Sequence, residues 1–87
     1  MILARASLIA PSRGRGSLTE QVTCDLIWLH VTPADRVEHI RVQASTRGFE
    51  VVWFMLGDDP LAARTKARLI CRTAIVNTPA LLGWKIA

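Results

Sequence analysis

The chain has 87 residues, enough for one domain but not for two, because folding at this length buries only about 60–65% of the surface that the unfolded chain exposes. Apolar residues make up 51% of the sequence, and eleven Lys and Arg against seven Asp and Glu give a formal net charge of +4. Two cysteines are too few for a disulfide framework, and no apolar run approaches the roughly 20 residues that cross a bilayer, so we expect a cytoplasmic protein without a membrane partner.

The N-terminal residues 1–17 contain three arginines and no acidic residue. Pro, Gly and Ser cluster between Pro11 and Ser17, which is typical of a linker between ordered segments. The apolar residues before this linker are compatible with a short helix, a short strand or a disordered lead. We therefore predict a flexible or loosely docked segment over residues 1–17 and a single α+β domain over residues 18–87.

Between residues 20 and 31 the apolar residues fall on even positions (Val22, Cys24, Leu26 and Trp28) and on odd positions (Ile27, Leu29 and Val31). A strand with this pattern is covered on both faces, either within a sheet or by another chain. We therefore predict a strand here and assign Leu26 and Trp28 to one of its apolar faces. The turn-forming residues from Thr32 to Asp35 end this predicted strand.

Two further strands are predicted on either side of a short loop. Residues 37–45 alternate between apolar and polar side chains, which is the pattern of a half-exposed strand. Gly48 in the loop can adopt a positive φ, and residues 49–56 are rich in the β-branched and aromatic side chains that favour strands. Both faces of this last strand are apolar, with Val52 and Phe54 on one of them.

A helix is predicted from residue 59 to residue 77. The two aspartates before Pro60 can accept hydrogen bonds from the free N–H groups of the first turn, and Pro tolerates the first helical position. The helix ends before Pro79, because Pro lacks an N–H donor and restricts the residue that precedes it. Residues 80–87 allow a last turn and a short edge strand.

This helix has two separate apolar sides when its residues are placed at about 100° intervals. One side is a stripe of mostly small residues that suits close packing on a sheet: Ala63, Ala67, Ile70, Cys71 and Ala74. The other side contains Leu61, Leu69 and Val76. It contacts either the terminal segments of the same chain or a partner, and the sequence leaves both alternatives open.

A basic row runs along the same helix. Arg64, Arg68 and Arg72 follow one another at intervals of four residues, and Lys66 lies on the opposite flank. Like charges at this spacing repel by about 0.2–0.5 kcal/mol per pair, so we expect either strand carboxylates or an anionic partner nearby. The candidate residues for an anionic partner lie on the helix and in the N-terminal Arg-Gly arm: Arg64, Lys66, Arg68, Arg72, Arg13 and Arg15.

The sequence contains no catalytic or metal-binding pattern. The cysteines and histidines lack the closely spaced pairs that structural zinc sites use. Cys24 with a histidine, or Ser45 with His39, would need an orienting third group that the sequence does not indicate, and no Gly-rich phosphate loop is present. We therefore predict no catalytic residue, no metal and no cofactor, and we expect a protein that is not an enzyme.

The predicted fold is a small antiparallel sheet of three strands packed by one C-terminal helix, in the order β-β-β-α, with a fourth short strand allowed at the C-terminus. A helical N-terminal segment would make the order α-β-β-β-α, which resembles double-stranded-RNA-binding domains. Those domains carry basic residues at the start of the last helix, where this chain has Asp58 and Asp59, so we do not assign the family.

Apolar side chains on both faces of two predicted strands, and on two sides of the helix, exceed what so short a chain can cover. We therefore predict a small non-catalytic interaction or assembly module that self-associates as a homo-oligomer or docks on a larger protein. Its predicted interface combines sheet and helix residues: Leu26, Trp28, Val52, Phe54, Leu61, Leu69 and Val76. The alternative is an RNA- or DNA-binding domain that uses the basic helix row and the Arg-Gly arm.

Overall fold

A computed structural model describes all 87 residues. In chain order its elements are β1 (Ile2–Ile9), α1 (Glu20–Trp28), a 3-10 turn (Pro33–Asp35), β2 (Val37–Ala44), β3 (Gly48–Met55), α2 (Pro60–Asn77), a second 3-10 turn (Pro79–Leu81) and β4 (Lys85–Ile86). The α+β class, the antiparallel sheet and the C-terminal helix agree with the prediction. The sheet has four strands rather than three, and there are two helices rather than one.

The four strands form one sheet in the order β2-β3-β1-β4, and every neighbouring pair is antiparallel. Helix α1 connects β1 to β2, and β3 lies between these two strands in the sheet. The β-α-β-β-α-β chain therefore has the split β-α-β connectivity that ferredoxin-like folds also have. Buried residues of both helices join one core with the inward side chains of the sheet. Both helices therefore cover the same sheet face, and the opposite face is open.

Strand β1 departs most from the prediction, because residues 2–9 lie in the centre of the sheet instead of a flexible or loosely docked segment. The inward side chains of this strand are buried: Ala4, Ala6 and Leu8. Two of these are small, and the facing stripe of α2 is also made mostly of alanine, so the helix can pack closely on the strand. The ordered fold therefore begins at Ile2 and not near residue 18, and the α-β-β-β-α order is not found.

The Arg-Gly linker between Pro11 and Ser17 is hydrogen-bonded to the rest of the domain through Arg13 and Arg15. Arg15 donates to the carbonyl oxygens of Ser45 at 2.7 Å and Gly48 at 3.1 Å. Its guanidinium carbon also lies 5.7 Å from the centre of the Phe49 ring, which is a cation–π distance. Arg13 donates to the carbonyl oxygen of Leu82. Both arginines therefore position loops of this chain.

Helix α1 occupies the residues for which a doubly covered strand was predicted, and that prediction is wrong. Thr19 caps the helix, because its hydroxyl oxygen accepts a hydrogen bond from the Val22 N–H at 3.1 Å. Thr23 and Ile27 are buried against the sheet. A short buried helix is as apolar along its length as a buried strand, so apolar content alone does not separate the two.

Strands β2 and β3 form a hairpin whose bounds lie within one residue of the predicted ones. Gly48 is the first residue of β3, has a φ of 157° and lies close to the backbone of β1. A Cβ atom at this position would lie 2.1 Å from the carbonyl oxygen of Leu8, so only glycine fits without a backbone shift. The residue fixes how closely β3 approaches β1.

Helix α2 begins and ends where the sequence predicts. The Asp59 side chain accepts hydrogen bonds from the N–H groups of Leu61 at 3.1 Å and Ala62 at 3.2 Å, and Pro60 is the first helical residue. All five residues of the predicted small-residue stripe are buried. Neither helix has the length and apolar content that a membrane-spanning segment would need.

The C-terminal residues complete the sheet and close its core. β4 pairs with Leu8 and Ile9 of β1, so the predicted short edge strand is present. The Trp84 ring is buried and stacks on Phe49, with ring centroids 5.4 Å apart and an interplanar angle of 12°. The chain end is therefore joined to the centre of the domain.

Candidate functional site

The seven residues predicted to form one interface lie on two opposite faces of the domain. Leu26 and Trp28 lie on α1, not on a strand, and Leu61, Leu69 and Val76 lie on α2. Val52 and Phe54 lie on the open face of the sheet. No single flat partner surface can therefore contact all seven residues.

The outward side of α2 carries three large aliphatic side chains. Leu61, Leu69 and Val76 are 72%, 54% and 77% exposed, respectively. They point away from the buried alanine stripe, and no element of the chain covers them. Neither the N-terminal segment nor the Trp84 segment packs on this side, because both lie in or against the sheet.

Helix α1 extends this apolar surface. At the outer edge of β2, the Glu20 carboxylate accepts a hydrogen bond from the Ala44 N–H at 2.6 Å. The Cys24 thiol donates to the Ile40 carbonyl oxygen at 3.6 Å. The opposite flank of α1 therefore faces α2. We call the combined surface the helix face; its residues are Val22, Leu26 and Leu29 of α1 and Leu61, Leu69 and Val76 of α2.

Trp28 is not part of the helix face. Its side chain is half-buried and packs against the main core, on the flank of α1 that faces β2. Leu26, by contrast, is half-buried but lies outside the core cluster. Of the two α1 residues predicted for the interface, only Leu26 is therefore placed to contact a partner.

The open sheet face is the surface that neither helix covers. Beyond Ile9 of β1 and its partner Lys85 of β4, its residues are Leu3, Arg5 and Ser7 of β1, Glu50, Val52 and Phe54 of β3, and His39, Arg41 and Gln43 of β2. The strand register arranges them in three rows across the sheet: Leu3–Phe54–His39, Arg5–Val52–Arg41 and Ser7–Glu50–Gln43. The face therefore has an apolar and aromatic row, a cationic row and a polar row.

Val52 is only 9% exposed although it lies on the open sheet face. Its direct cross-strand neighbours are Arg5 on one side and Arg41 on the other. Arginine side chains cover apolar neighbours with their methylene groups while the guanidinium stays in water. These two residues are therefore placed to cover Val52, which offers little surface to a partner.

The aromatic row is more accessible. Phe54 is half-buried, and its ring centroid lies 5.3 Å from that of the exposed His39, at an interplanar angle of 49°. Leu3, which pairs with Phe54 from β1, is 57% exposed. The sequence does not single out Leu3, Arg5, His39 or Arg41, although the alternation of β2 places His39 and Arg41 on one face.

The predicted anion-binding residues are not brought together. Lys66 forms an ion pair with Asp35, and Arg13 and Arg15 donate to backbone carbonyls. Arg68 donates to the carbonyl oxygen of Ala87 at 2.6 Å. Arg64 and Arg72 are exposed on the same flank of α2, so the basic row remains on the helix but loses Lys66 and the Arg-Gly arm.

Cys24 and His39 line one shallow depression at the edge of β2, but no hydrogen bond joins them. Burial, followed by the negative charge of Asp25, raises the pKa of the Cys24 thiol, and contact with Trp28 offsets this only in part. A raised pKa disfavours the thiolate that a nucleophile needs. No three His, Cys, Asp or Glu side chains lie close enough together to hold a metal ion.

No family model, curated protein or solved structure matches this chain. The split β-α-β connectivity occurs in proteins with many unrelated functions, so the fold alone assigns none. The two exposed faces are therefore the features from which a function can be argued.

Proposed function

We propose that this chain is a small non-catalytic interaction module that self-associates or docks on a larger protein through the helix face. The observation that supports this most is the exposure of Leu61, Leu69 and Val76, at 72%, 54% and 77%, on one side of one helix. Isolated exposed leucines are common, but aligned large aliphatic side chains are typical of interaction surfaces. Full burial of each in a partner would contribute about 1.5–3 kcal/mol.

The flank of α1 supports the same proposal. Val22 is 44% exposed, and Leu29, the C-cap residue of α1, is 76% exposed. Both helices therefore present large aliphatic side chains to solvent on the same side of the sheet. Surfaces of this kind suit an amphipathic helix or the helices of a second copy.

The nucleic-acid alternative has less support from the residues first assigned to it. Lys66 is neutralised by Asp35 on the far flank of α2, and Arg13 and Arg15 are hydrogen-bonded to loops. Only Arg64, Arg68 and Arg72 remain in a row, and Arg68 is engaged with Ala87. These three residues lie beside the helix face and would form a charged rim around an apolar contact.

Sedimentation velocity of the purified chain over a range of micromolar concentrations tests the proposal. Self-association predicts a sedimentation coefficient that rises with concentration, and the double variant Leu69→Gln/Val76→Thr should remain monomeric. The matched control is Leu3→Gln, which removes a similarly exposed leucine from the opposite side of the sheet and should leave association unchanged.

A chain that is monomeric throughout is then used as bait in an extract of its host. Docking on a larger protein predicts a partner that the wild type and Leu3→Gln retain and that Leu69→Gln/Val76→Thr loses. A monomer that retains no protein in this variant-dependent way contradicts the proposal.

A further inference from the structure

The open sheet face carries two arginines that form no ion pair within the chain. Arg5 and Arg41 are exposed, and the chain's one ion pair involves neither of them. Both pair with Val52, so their backbones are two strand spacings apart, about 10 Å. Two long guanidinium side chains at this separation can contact successive anionic groups of one extended polymer.

Glu38 is exposed next to His39 at the register irregularity of β2, and Glu50 is the acidic residue that the strand register places on this face, in the row beside the arginines. The Glu50 carboxylate accepts a hydrogen bond from the Ser7 hydroxyl in the polar row. The aromatic row lies on the other side of the arginines. A polyanion that crosses the cationic and aromatic rows therefore avoids Glu50.

The aromatic row favours one kind of polyanion. The partly exposed Phe54 ring lies beside the His39 ring at 5.3 Å, and Leu3 flanks Phe54 from the other strand. Flat aromatic surface next to guanidinium groups is the combination that binds unpaired bases together with their phosphates. An acidic peptide would match the arginines but would leave the aromatic row without a specific contact.

We propose that the open sheet face binds single-stranded nucleic acid, with Phe54 and His39 in contact with bases and Arg5 and Arg41 in contact with phosphates. A single strand is favoured over a duplex because a broad sheet face, backed by two helices, does not enter a duplex groove. This face and the helix face lie on opposite sides of the domain. The inference therefore does not depend on the proposed protein contact.

Fluorescence anisotropy with the full chain measures this binding directly. The probes are a labelled single-stranded RNA and a single-stranded DNA of about twelve nucleotides, and the duplex of the same sequence, at about 50 mM and about 200 mM salt. We expect saturable binding of single strands that weakens as salt rises, with weaker binding of the duplex. Comparison of the two single strands shows whether RNA or DNA is preferred.

Three variants locate the contact. Phe54→Leu keeps an apolar side chain on the sheet but removes the ring, and it should weaken binding about ten-fold. Arg5→Gln/Arg41→Gln should lower the slope of log affinity against log salt by about 1.4, because each lost phosphate contact removes about 0.7. The matched control, Arg64→Gln/Arg72→Gln, removes the same charge from the helix side and should change affinity by less than about two-fold.

Three results would overturn the inference. Absence of saturable binding at low salt shows that the face does not bind nucleic acid. An equal loss of affinity in Arg64→Gln/Arg72→Gln shows that attraction depends on net charge and not on the open sheet face. Equal displacement of the probe by polyglutamate of the same charge shows that bases make no contact and that an acidic protein is the better occupant.

Discussion

Lys66 Nζ lies 3.2 Å from Asp35 Oδ1, and this is the one ion pair in the chain. The pair joins the first half of α2 to the 3-10 turn that precedes β2. Asp35 also accepts a hydrogen bond from the Thr32 N–H at 2.9 Å. The same carboxylate therefore stabilises the turn and binds Lys66 of α2. Lys66 therefore stabilises the fold locally, although the sequence suggested an anionic partner for it.

Stability should depend on the ionisation of Asp35. Partial burial opposes ionisation, but the hydrogen bonds from Thr32 and Lys66 outweigh burial and lower the pKa of Asp35. A lowered pKa in the folded state means that the contribution is complete above the unfolded pKa of about 3.9 and is lost as pH falls through the folded pKa. We expect Asp35→Asn to lower the free energy of unfolding by about 1 kcal/mol at pH 7.

Thermal unfolding of wild type and Asp35→Asn between neutral pH and about pH 2.5 checks this expectation. The difference in Tm should shrink as the wild-type carboxylate becomes protonated. Glu38→Gln is the control, because Glu38 is exposed and makes no ion pair. A Tm difference that stays constant over the whole range would assign the effect of Asp35→Asn to packing and not to charge.

The N-terminal strand should contribute strongly to stability. Leu8 is 1% exposed in the core, whereas Leu3 on the same strand is 57% exposed on the open sheet face. We expect Leu8→Ala to lower the free energy of unfolding by about 3 kcal/mol, since it leaves a cavity, and Leu3→Ala to lower it by less than about 1 kcal/mol. Urea denaturation measures both. Equal small losses would mean that residues 2–9 are only loosely docked.

The sequence did not reveal β1 because its inward residues are small. Period-2 alternation holds only from Ala4 to Leu8, and Ala4 and Ala6 have low strand propensity and give a weak apolar signal. Small side chains suit these positions because the alanine stripe of α2 packs over them. That relationship is tertiary, so no local pattern predicts a central strand here.

The misassignment of α1 has a different cause. A short segment with apolar residues at even and at odd positions is compatible with a strand and with a helix. The signal that separates them is Thr19 followed by Glu20, a capping residue before an acidic first turn. For α2 the equivalent start signal and the 3.6-residue period were both used, and its bounds and its buried stripe were predicted correctly.

The candidate surfaces were predictable only in part. Helical periodicity alone places Leu61, Leu69 and Val76 away from the buried stripe, but their exposure depends on where residues 1–17 and 80–87 lie, which the sequence left open. The row of Arg5, Val52 and Arg41 depends on the pairing of β3 with β1, which is far from the β2–β3 hairpin in sequence. The oxygens that Arg13 and Lys66 contact, on Leu82 and Asp35, are likewise distant in sequence, so the spacing of residues does not predict these contacts.

Gly48 should be far less tolerant of substitution than Gly14. A Cβ atom at Gly48 would meet the Leu8 carbonyl oxygen at 2.1 Å, whereas at Gly14, with a φ of 83°, no atom lies within 4 Å. We expect Gly48→Ala to cost more than about 3 kcal/mol, because backbone must move, and Gly14→Ala to cost about 1 kcal/mol from backbone strain alone. Urea denaturation compares the two. A similar cost at both positions would show that β1 and β3 separate easily at this point.

The two cysteines should differ in reactivity. Burial raises the pKa of Cys71 to about 12, and it also raises the pKa of Cys24, which lies at the edge of β2 and is only half-buried. Relative to the ordinary value of 9.0, a pKa near 12 lowers the thiolate fraction of Cys71 at pH 8 about a thousand-fold. Cys71 is also 1% exposed, so a reagent reaches it only when the chain opens.

Thiol labelling of the single-cysteine variants Cys24→Ser and Cys71→Ser at pH 8 separates the two groups. In the native state, we expect the remaining Cys24 to react more slowly than a free peptide thiol, and the remaining Cys71 to react at the rate of unfolding. In denaturing urea both should react equally fast, because the burial that raises each pKa is then absent. Native labelling of Cys71 as fast as Cys24 would show that the contact of α2 with β1 opens without global unfolding.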